Sequence, residues 1–193
     1  MTCGTPLDAA ILADYWLGAL PESEEQSVEE HLFACDECGA RLREVIALAG
    51  AIHNLAREGS LLMVVSDAFI QRAAEQGLHV RQYAPPRGGS VECTVTAGDD
   101  LLIGRLTADL SGAKRVDLSV CNQRGREQVR LADIPFHSAA GSVVFQQSIT
   151  YAKAAPSETM IARLVALDDA GGEHLLGEYT FHHTRTMPGP GAW

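Results

Sequence analysis

The chain has 193 residues, of which 46% are hydrophobic and 21% are charged, and this balance describes a globular protein and excludes a disordered one. The formal net charge is −10, which argues against direct binding of nucleic acid. There is no apolar run of about 18 residues and no N-terminal signal peptide, so we expect a cytoplasmic protein with no membrane partner.

The negative charge is concentrated in the N-terminal part of the chain. Residues 1–58 contain 11 acidic and 3 basic residues, whereas residues 59–193 contain 14 acidic and 12 basic residues. An acidic region of this kind fits a partner protein with a basic surface. The alternative is that the acidic residues only keep exposed helix faces in solution, and the sequence favours neither explanation.

Four helices are predicted in the first 77 residues from apolar positions that recur with helical spacing. They cover Leu7–Leu20, Ser23–Cys35, Cys38–Ala56 and Leu61–Gln76. Ser23 and Gln26 have the spacing of a capping box, which predicts Ser23 as the N-cap of the second helix. Three short helices bury little apolar surface, so a bound metal ion would supply stability that residues 1–58 otherwise lack.

A His-x3-Cys-x2-Cys motif, formed by His31, Cys35 and Cys38, lies where the second predicted helix ends. His31 and Cys35 share one helix face because they are four residues apart, and Cys38 follows after a short turn. Zinc prefers four nitrogen or sulfur ligands in a tetrahedron, so the motif predicts a zinc site that needs one more ligand. The best candidate is Cys3, with water or Asp8 as alternatives. If no metal binds, the cysteines are ordinary buried residues and His31 is a surface histidine.

Two segments, Leu12–Glu22 (LADYWLGALPE) and Val28–Cys38 (VEEHLFACDEC), resemble the zinc-binding anti-sigma domain of bacteria. The resemblance implies an intracellular protein that sequesters a sigma factor of the extracytoplasmic-function type. It also implies that the three residues of the His-x3-Cys-x2-Cys motif are zinc ligands. The fourth ligand of the family is usually a Cys or His before the first helix, and Cys3 lies slightly upstream of the commonest position, where this chain has Thr5.

A Pro- and Gly-containing linker, Tyr83–Gly89, precedes a change from helical periodicity to alternation of apolar and polar residues. Seven strands are predicted at Ser90–Thr96, Leu101–Leu110, Arg115–Cys121, Glu127–Ile134, Ser142–Ile149, Met160–Leu167 and Leu175–His182. Short strands at this spacing predict an antiparallel β-sandwich. We therefore expect an α+β protein with a zinc-binding helical bundle at residues 1–58, a helix and linker at 59–84, a β-sandwich at 85–184 and a flexible tail at 185–193.

The predicted β-sandwich contains no recognisable catalytic motif. Cys93 and Cys121 lie in alternating apolar stretches and are expected to be buried, inert thiols. His182 and His183 are neighbours on one strand, so they point to opposite faces and cannot bind one metal ion together. We therefore expect a regulator without enzymatic activity. Two alternatives are a zinc-dependent enzyme with a cleft on the β domain, and a general interaction module without a sigma partner.

Overall fold

Helices occupy the first part of the chain and strands the second, which confirms the α+β fold class. The structure is a computed structural model that describes residues 3–186. The chain divides into two compact units, residues 1–56 and residues 57–193. Within residues 3–186, no helix combines the length and the apolar character needed to cross a membrane.

The helical unit contains α1 (Ala9–Trp16), α2 (Glu22–Ala34) and most of α3 (Asp36–Arg57). Asp8 is the N-cap of α1, and its Oδ1 accepts a hydrogen bond of 2.9 Å from the backbone N–H of Ala10. The predicted capping box of α2 is wrong. The N-cap is Pro21, which has no capping side chain, and three glutamates in the first turn provide the negative charge that a helix N-terminus favours.

Few apolar side chains of the helical unit are fully buried. Among residues 3–56, these are Leu12, Val28, Cys38 and Ala56. Several apolar side chains of α3 remain accessible, since Leu48, Ile52 and Leu55 are 63%, 50% and 42% exposed. A unit with so little hydrophobic core needs another source of stability, which a metal ion or a partner protein can provide.

The second unit contains nine strands among the described residues, arranged in two sheets with the strand orders β1-β7-β4-β2 and β3-β9-β8-β5-β6. All seven predicted strands are present as β3 to β9. The strands are β1 (Met63–Val64), β2 (Val80–Tyr83), β3 (Ser90–Cys93), β4 (Leu101–Thr107), β5 (Arg115–Asn122), β6 (Glu127–Leu131), β7 (Ser142–Gln147), β8 (Glu158–Leu167) and β9 (Glu173–His183). The helical elements are α4 (Asp67–Glu75), α5 (Ile149–Ala154) and a 3-10 turn at Ser138–Ala140.

Both sheets are mixed and not purely antiparallel. The pairs β2–β4 and β3–β9 are parallel, whereas the other pairs are antiparallel. Between β2 and β4 the chain leaves the first sheet, adds β3 to the edge of the second sheet, and returns to place β4 beside β2. Parallel neighbours need such crossover connections, which a tight hairpin cannot supply.

The two sheets share one hydrophobic core. Phe145 of β7 and Phe181 of β9 pack edge to face, with ring centroids 6.2 Å apart and planes at 89°. Tyr179 is fully buried beside them and donates a hydrogen bond to the Thr107 carbonyl. Any side chain at Gly104 would overlap the Phe145 ring, so this position of β4 requires glycine.

Residues 59–84, predicted as a helix and linker, contribute β1, α4 and β2 to the second unit. The helix starts later than predicted because Ser66 caps it, accepting a hydrogen bond of 3.2 Å from the Phe69 N–H. The predicted linker Tyr83–Gly89 runs from β2 to β3 inside this unit. Its Gly88 N–H donates to the Glu178 carbonyl at 2.9 Å, so the segment is held against β9.

The start of the predicted tail contacts the second unit, which we call the β unit. The Arg185 N–H donates to Ser157 Oγ at 3.0 Å, and Thr186 Oγ1 donates to the Val95 carbonyl at 2.7 Å. The remaining residues of the tail, 187–193, lie outside the described residues.

A buried carboxylate, Asp117 of β5, ties β5 to the segment that follows β6. Its Oδ2 accepts from Arg130 Nε at 2.7 Å, and its Oδ1 accepts from the Asp133 N–H at 2.9 Å. Burial by itself would raise the pKa of Asp117, but these two donors outweigh that effect and hold the pKa below its usual range. The carboxylate therefore stabilises the folded state in its charged form.

We expect Asp117→Asn to lower the free energy of unfolding by about 2 kcal/mol at pH 7, because charged hydrogen bonds of a buried group are lost. The folded-state pKa lies below that of the unfolded chain, so the stabilisation is present above the unfolded pKa and disappears as the pH falls through the folded pKa. Urea unfolding of the wild type and of Asp117→Asn should show that the difference between their free energies of unfolding becomes smaller as the pH falls from 7 to below about 4.

Asp169→Asn is the matched control for this substitution. Asp169 pairs with Lys114 at 2.5 Å, but the two side chains are 79% and 70% exposed, so the free energy of unfolding should hardly change. An equal loss of unfolding free energy in Asp117→Asn and Asp169→Asn would contradict the structural role of Asp117. A difference between the wild type and Asp117→Asn that does not depend on pH would also contradict it.

Candidate metal centre

Four candidate ligands converge where α2 ends and α3 begins. His31 lies in the last turn of α2, Cys35 is the residue between the two helices, and Cys38 lies in the first turn of α3. Cys3 reaches the same place from the segment that precedes α1. One imidazole and three thiols are therefore assembled from three separate segments of the helical unit.

The ligand atoms of these four residues all lie within 4.8 Å of one another. Cys3 Sγ is 3.9 Å from Cys38 Sγ, and His31 Nε2 is 3.2 Å from Cys38 Sγ and 3.5 Å from Cys3 Sγ. A tetrahedron with zinc–sulfur bonds of about 2.3 Å and a zinc–nitrogen bond of about 2.0 Å has edges of about 3.5–3.8 Å. The spacing of the ligand atoms is therefore close to what a tetrahedral ion requires.

The electrostatics of the cluster favour a thiolate at Cys35. The backbone N–H of Cys38 points at the Cys35 sulfur, and this hydrogen bond, with further contributions from Cys3 and His31, lowers the pKa of Cys35 to about 7. This is the arrangement expected for a sulfur at the N-cap of a helix, here α3. Since a thiolate and not a thiol binds metal, Cys35 is prepared for coordination near neutral pH.

The N-terminal segment is tied to this corner by two further hydrogen bonds. The backbone N–H of Cys3 donates to Glu37 Oε2 at 3.0 Å, and the backbone N–H of Leu7 donates to Cys38 Sγ at 3.4 Å. Glu37 also pairs with Arg41 at 3.2 Å. These contacts bring Cys3 to the cluster, while partial desolvation raises the pKa of its thiol.

The structure brings together all four residues singled out in the sequence: Cys3, His31, Cys35 and Cys38. The alternative fourth ligand, Asp8, uses its carboxylate to cap α1. Among residues 3–186, no other group of three or more His, Cys, Asp or Glu side chains meets so closely. The donor set fits a metal ion, since one imidazole and three thiols suit a soft or borderline divalent ion in a tetrahedral site.

Sequence reasoning missed the supporting role of Glu37 and of the Leu7 N–H. In the sequence, Glu37 is only a negative charge beside the thiols, whereas in the structure it accepts a hydrogen bond from the Cys3 backbone. No local pattern could have revealed either contact, because both join residues more than 30 positions apart in the sequence.

Comparison with known proteins bears on the helical unit. Residues 9–39 match a family described as "Putative zinc-finger", and this match includes three of the four candidate ligands. No curated protein matches the sequence. Among solved structures, the N-terminal domain of phage TP901-1 ORF48 is similar over 55% of this chain and 96% of that chain, with 12% identity and a TM-score of 0.34. A TM-score this low supports no argument about fold or function.

We expect the purified chain to hold about one divalent metal ion, and Cys35→Ser to lose it, because the substitution removes the ligand that is most readily a thiolate. Cys3→Ser should lower the affinity by about ten- to one-hundredfold. Metal analysis by mass spectrometry, with a chelator competition for the affinities, measures both effects.

The matched control is Cys93→Ser, which changes a thiol of the β unit outside the cluster and should leave the metal content unchanged. Full metal retention in Cys35→Ser would contradict the assignment of the cluster. An unchanged affinity in Cys3→Ser would show that another group completes the site.

Proposed function

We propose that this chain is a zinc-dependent anti-sigma factor, because residues 9–39 match a family described as "Putative zinc-finger" and the segments Leu12–Glu22 and Val28–Cys38 resemble the zinc-binding anti-sigma domain. In this proposal, Cys3, His31, Cys35 and Cys38 hold one Zn²⁺ ion, and the protein sequesters a sigma factor of the extracytoplasmic-function type in the cytoplasm. The observation that carries the proposal is the coincidence of the family match with a cluster of four ligands at tetrahedral spacing.

The ligand set supports a structural zinc ion and a protein without catalytic turnover. A catalytic zinc ion keeps one coordination position open for water or substrate, whereas four protein ligands fill a tetrahedral shell. Here the four side chains come from three segments, so a bound ion would join the N-terminal segment, α2 and α3. The competing proposal of a zinc enzyme would need Cys3 to leave the ion.

The surface of the helical unit supports a protein partner. Leu48, Ile52 and Leu55 follow one another at helical spacing on α3 and are each at least 42% exposed. Phe33, on α2, is 92% exposed. Exposed apolar side chains grouped on one short unit are typical of an interaction surface.

The charge of the same unit supports a basic partner. Residues 1–58 carry 11 acidic and 3 basic residues, and the glutamates of α2 are mostly exposed. Promoter-binding surfaces of sigma factors must be basic to bind DNA, so an acidic helical unit can compete with DNA for them.

We expect the full zinc-loaded chain to bind one of the extracytoplasmic-function-type sigma factors of its own cell with a Kd below about 1 µM. The double variant Leu48→Ser/Ile52→Ser should weaken that binding at least about tenfold, because two apolar side chains lose their burial in the complex. Calorimetry with each purified sigma factor measures the affinity, and circular dichroism with metal analysis checks that the variant stays folded.

A double variant in the β unit, Val129→Ser/Leu175→Ser, is the control, since these side chains are 43% and 56% exposed outside the helical unit. It should bind the sigma factor as the wild type does. If no sigma factor of the panel binds, the proposed function is wrong. If the control loses as much affinity as the α3 variant, the interface does not lie on α3.

Electrostatic attraction should show in the association rate. We expect the double variant Glu24→Gln/Glu30→Gln to associate more slowly than the wild type at low salt, and to lose less of its rate when salt is raised. Stopped-flow measurements between about 50 and 500 mM salt test this. The control Glu92→Gln/Asp169→Asn removes the same charge from the β unit, and an equal slowing there would show that only the net charge matters.

A further inference from the structure

A small cavity lies inside the β unit, between the ends of the two sheets. It is lined by inward-facing side chains of both sheets and by α5, and its volume is about 60 Å³. The residues that matter to its chemistry are Cys93, Gln147, Tyr151, Glu158 and His183. All of the described residues that line it belong to the β unit.

Strand register explains why three of these residues meet at the cavity. Cys93 of β3 and Glu158 of β8 are the direct neighbours of His183 of β9 on its two sides. Residues paired in register point to the same face of a sheet, so the three side chains form the last inward-facing row of this sheet. The preceding row of β9 contains the core residue Phe181.

His183 has an unused hydrogen-bond acceptor. Its Nε2 atom is shut off from solvent and has no hydrogen-bond partner, while the imidazole interacts with the backbone of Ala152 in α5. Burial lowers the pKa of His183, so the ring is neutral at pH 7. The hydrogen bond with the Ala152 backbone raises the pKa, as a donated hydrogen bond does, and Nε2 has no partner, so we infer that Nδ1–H is the donor and that Nε2 is a free acceptor. An unsatisfied buried acceptor costs about 1–3 kcal/mol, which a donor placed there would recover.

The surroundings of Nε2 favour a neutral ligand. Burial raises the pKa of Cys93 to about 11, so its thiol is protonated and adds no charge. None of the described lining residues is a lysine or arginine, so no cation is available for an anionic ligand. Glu158, whose carboxylate accepts a hydrogen bond from Tyr151 at 3.0 Å, lies on the exposed rim and would repel an anion.

The size of the cavity limits the ligand further. The cavity volume of 60 Å³ is several times the roughly 10–15 Å³ that a single water needs, so a molecule of a few non-hydrogen atoms fits. A short aliphatic alcohol has about that many non-hydrogen atoms. One side of the cavity is covered by α5, which is only six residues long. The exposed Tyr151 of α5 lies at the rim of the cavity.

We propose that this cavity is a binding site for a small neutral alcohol, whose apolar part lies between the sheets and whose hydroxyl donates a hydrogen bond to His183 Nε2. Nε2 is closed to solvent, so the hydroxyl reaches it only when side chains that line the cavity move aside, while His183 keeps its hydrogen bond with the backbone of Ala152. The β unit then binds an uncharged hydroxylated molecule at a site that contains none of the four candidate metal ligands.

The test compares two isomers with the same number of atoms, 1-butanol, which can donate a hydrogen bond, and diethyl ether, which cannot. Both are titrated into the full chain carrying ¹³C-methyl labels on methionine and alanine and ¹⁵N labels on histidine. We expect 1-butanol to shift the methyl signals of Met160, Ala152 and Ala155 saturably, and to bind at least about tenfold more tightly than the ether. The Nε2 resonance of His183 should move upfield with the same saturation.

Two substitutions at adjacent positions of β9 test its inner face and its outer face separately. His183→Phe keeps a ring but removes the acceptor, so the preference for 1-butanol should fall below about twofold. His182→Phe is the matched control, because His182 points to the opposite face and pairs with Thr159 Oγ1 at 3.1 Å, so the preference should persist.

Three results would overturn the proposal. The first is equal binding of both isomers by the wild type, which would describe an apolar crevice without a role for Nε2. The second is a His183 Nε2 resonance that is already hydrogen-bonded without alcohol and does not move on titration, which would show that water alone occupies the position. The third is the absence of any saturable shift. The Nε2 measurement uses the unaltered chain, so it decides the question even if His183→Phe does not fold.

Discussion

The helical unit depends on the convergence of four ligands at one point. Among its described residues only four apolar side chains are fully buried, so its helices have little hydrophobic reason to keep their arrangement. The corner between α2 and α3 holds His31, Cys35 and Cys38, and two backbone hydrogen bonds draw the segment of Cys3 onto it. A bound ion at this point would replace the missing core, since ligand binding energy becomes folding energy in small metal domains.

The two units obtain their stability in different ways, and this difference suits different tasks. The β unit closes a shared core between two sheets, centred on Phe145, Tyr179 and Phe181, and places its charged residue Asp117 in a fully satisfied network. The helical unit leaves apolar side chains of α3 exposed and carries most of the net negative charge. A surface of this kind can be buried by a partner protein.

Prediction from sequence succeeds where a pattern is long and local. The seven strands β3 to β9 are predicted because apolar and polar residues alternate in them over four or more residues. Their predicted ends differ from the observed ends by a few residues. β1 has two residues, too few for a period to stand out, and β2, although as long as β3, lies where the sequence predicts the approach to a linker. Ser23 has the right spacing for a capping box, but the turn after α1 places Pro21 at the N-cap, and a capping side chain acts only from that position.

The sequence by itself determined the candidate ligands and the order of helices before strands, because ligand spacing and hydrophobic period are properties of neighbouring residues. It also indicated Cys3 as the fourth ligand, but only the tertiary structure placed its thiol beside the other three and assigned Asp8 to the cap of α1. The parallel strand pairs, and the row of Cys93, His183 and Glu158, were likewise decided by the fold. Each joins residues far apart in the chain, and their meeting depends on the path of the whole backbone, which no local pattern records.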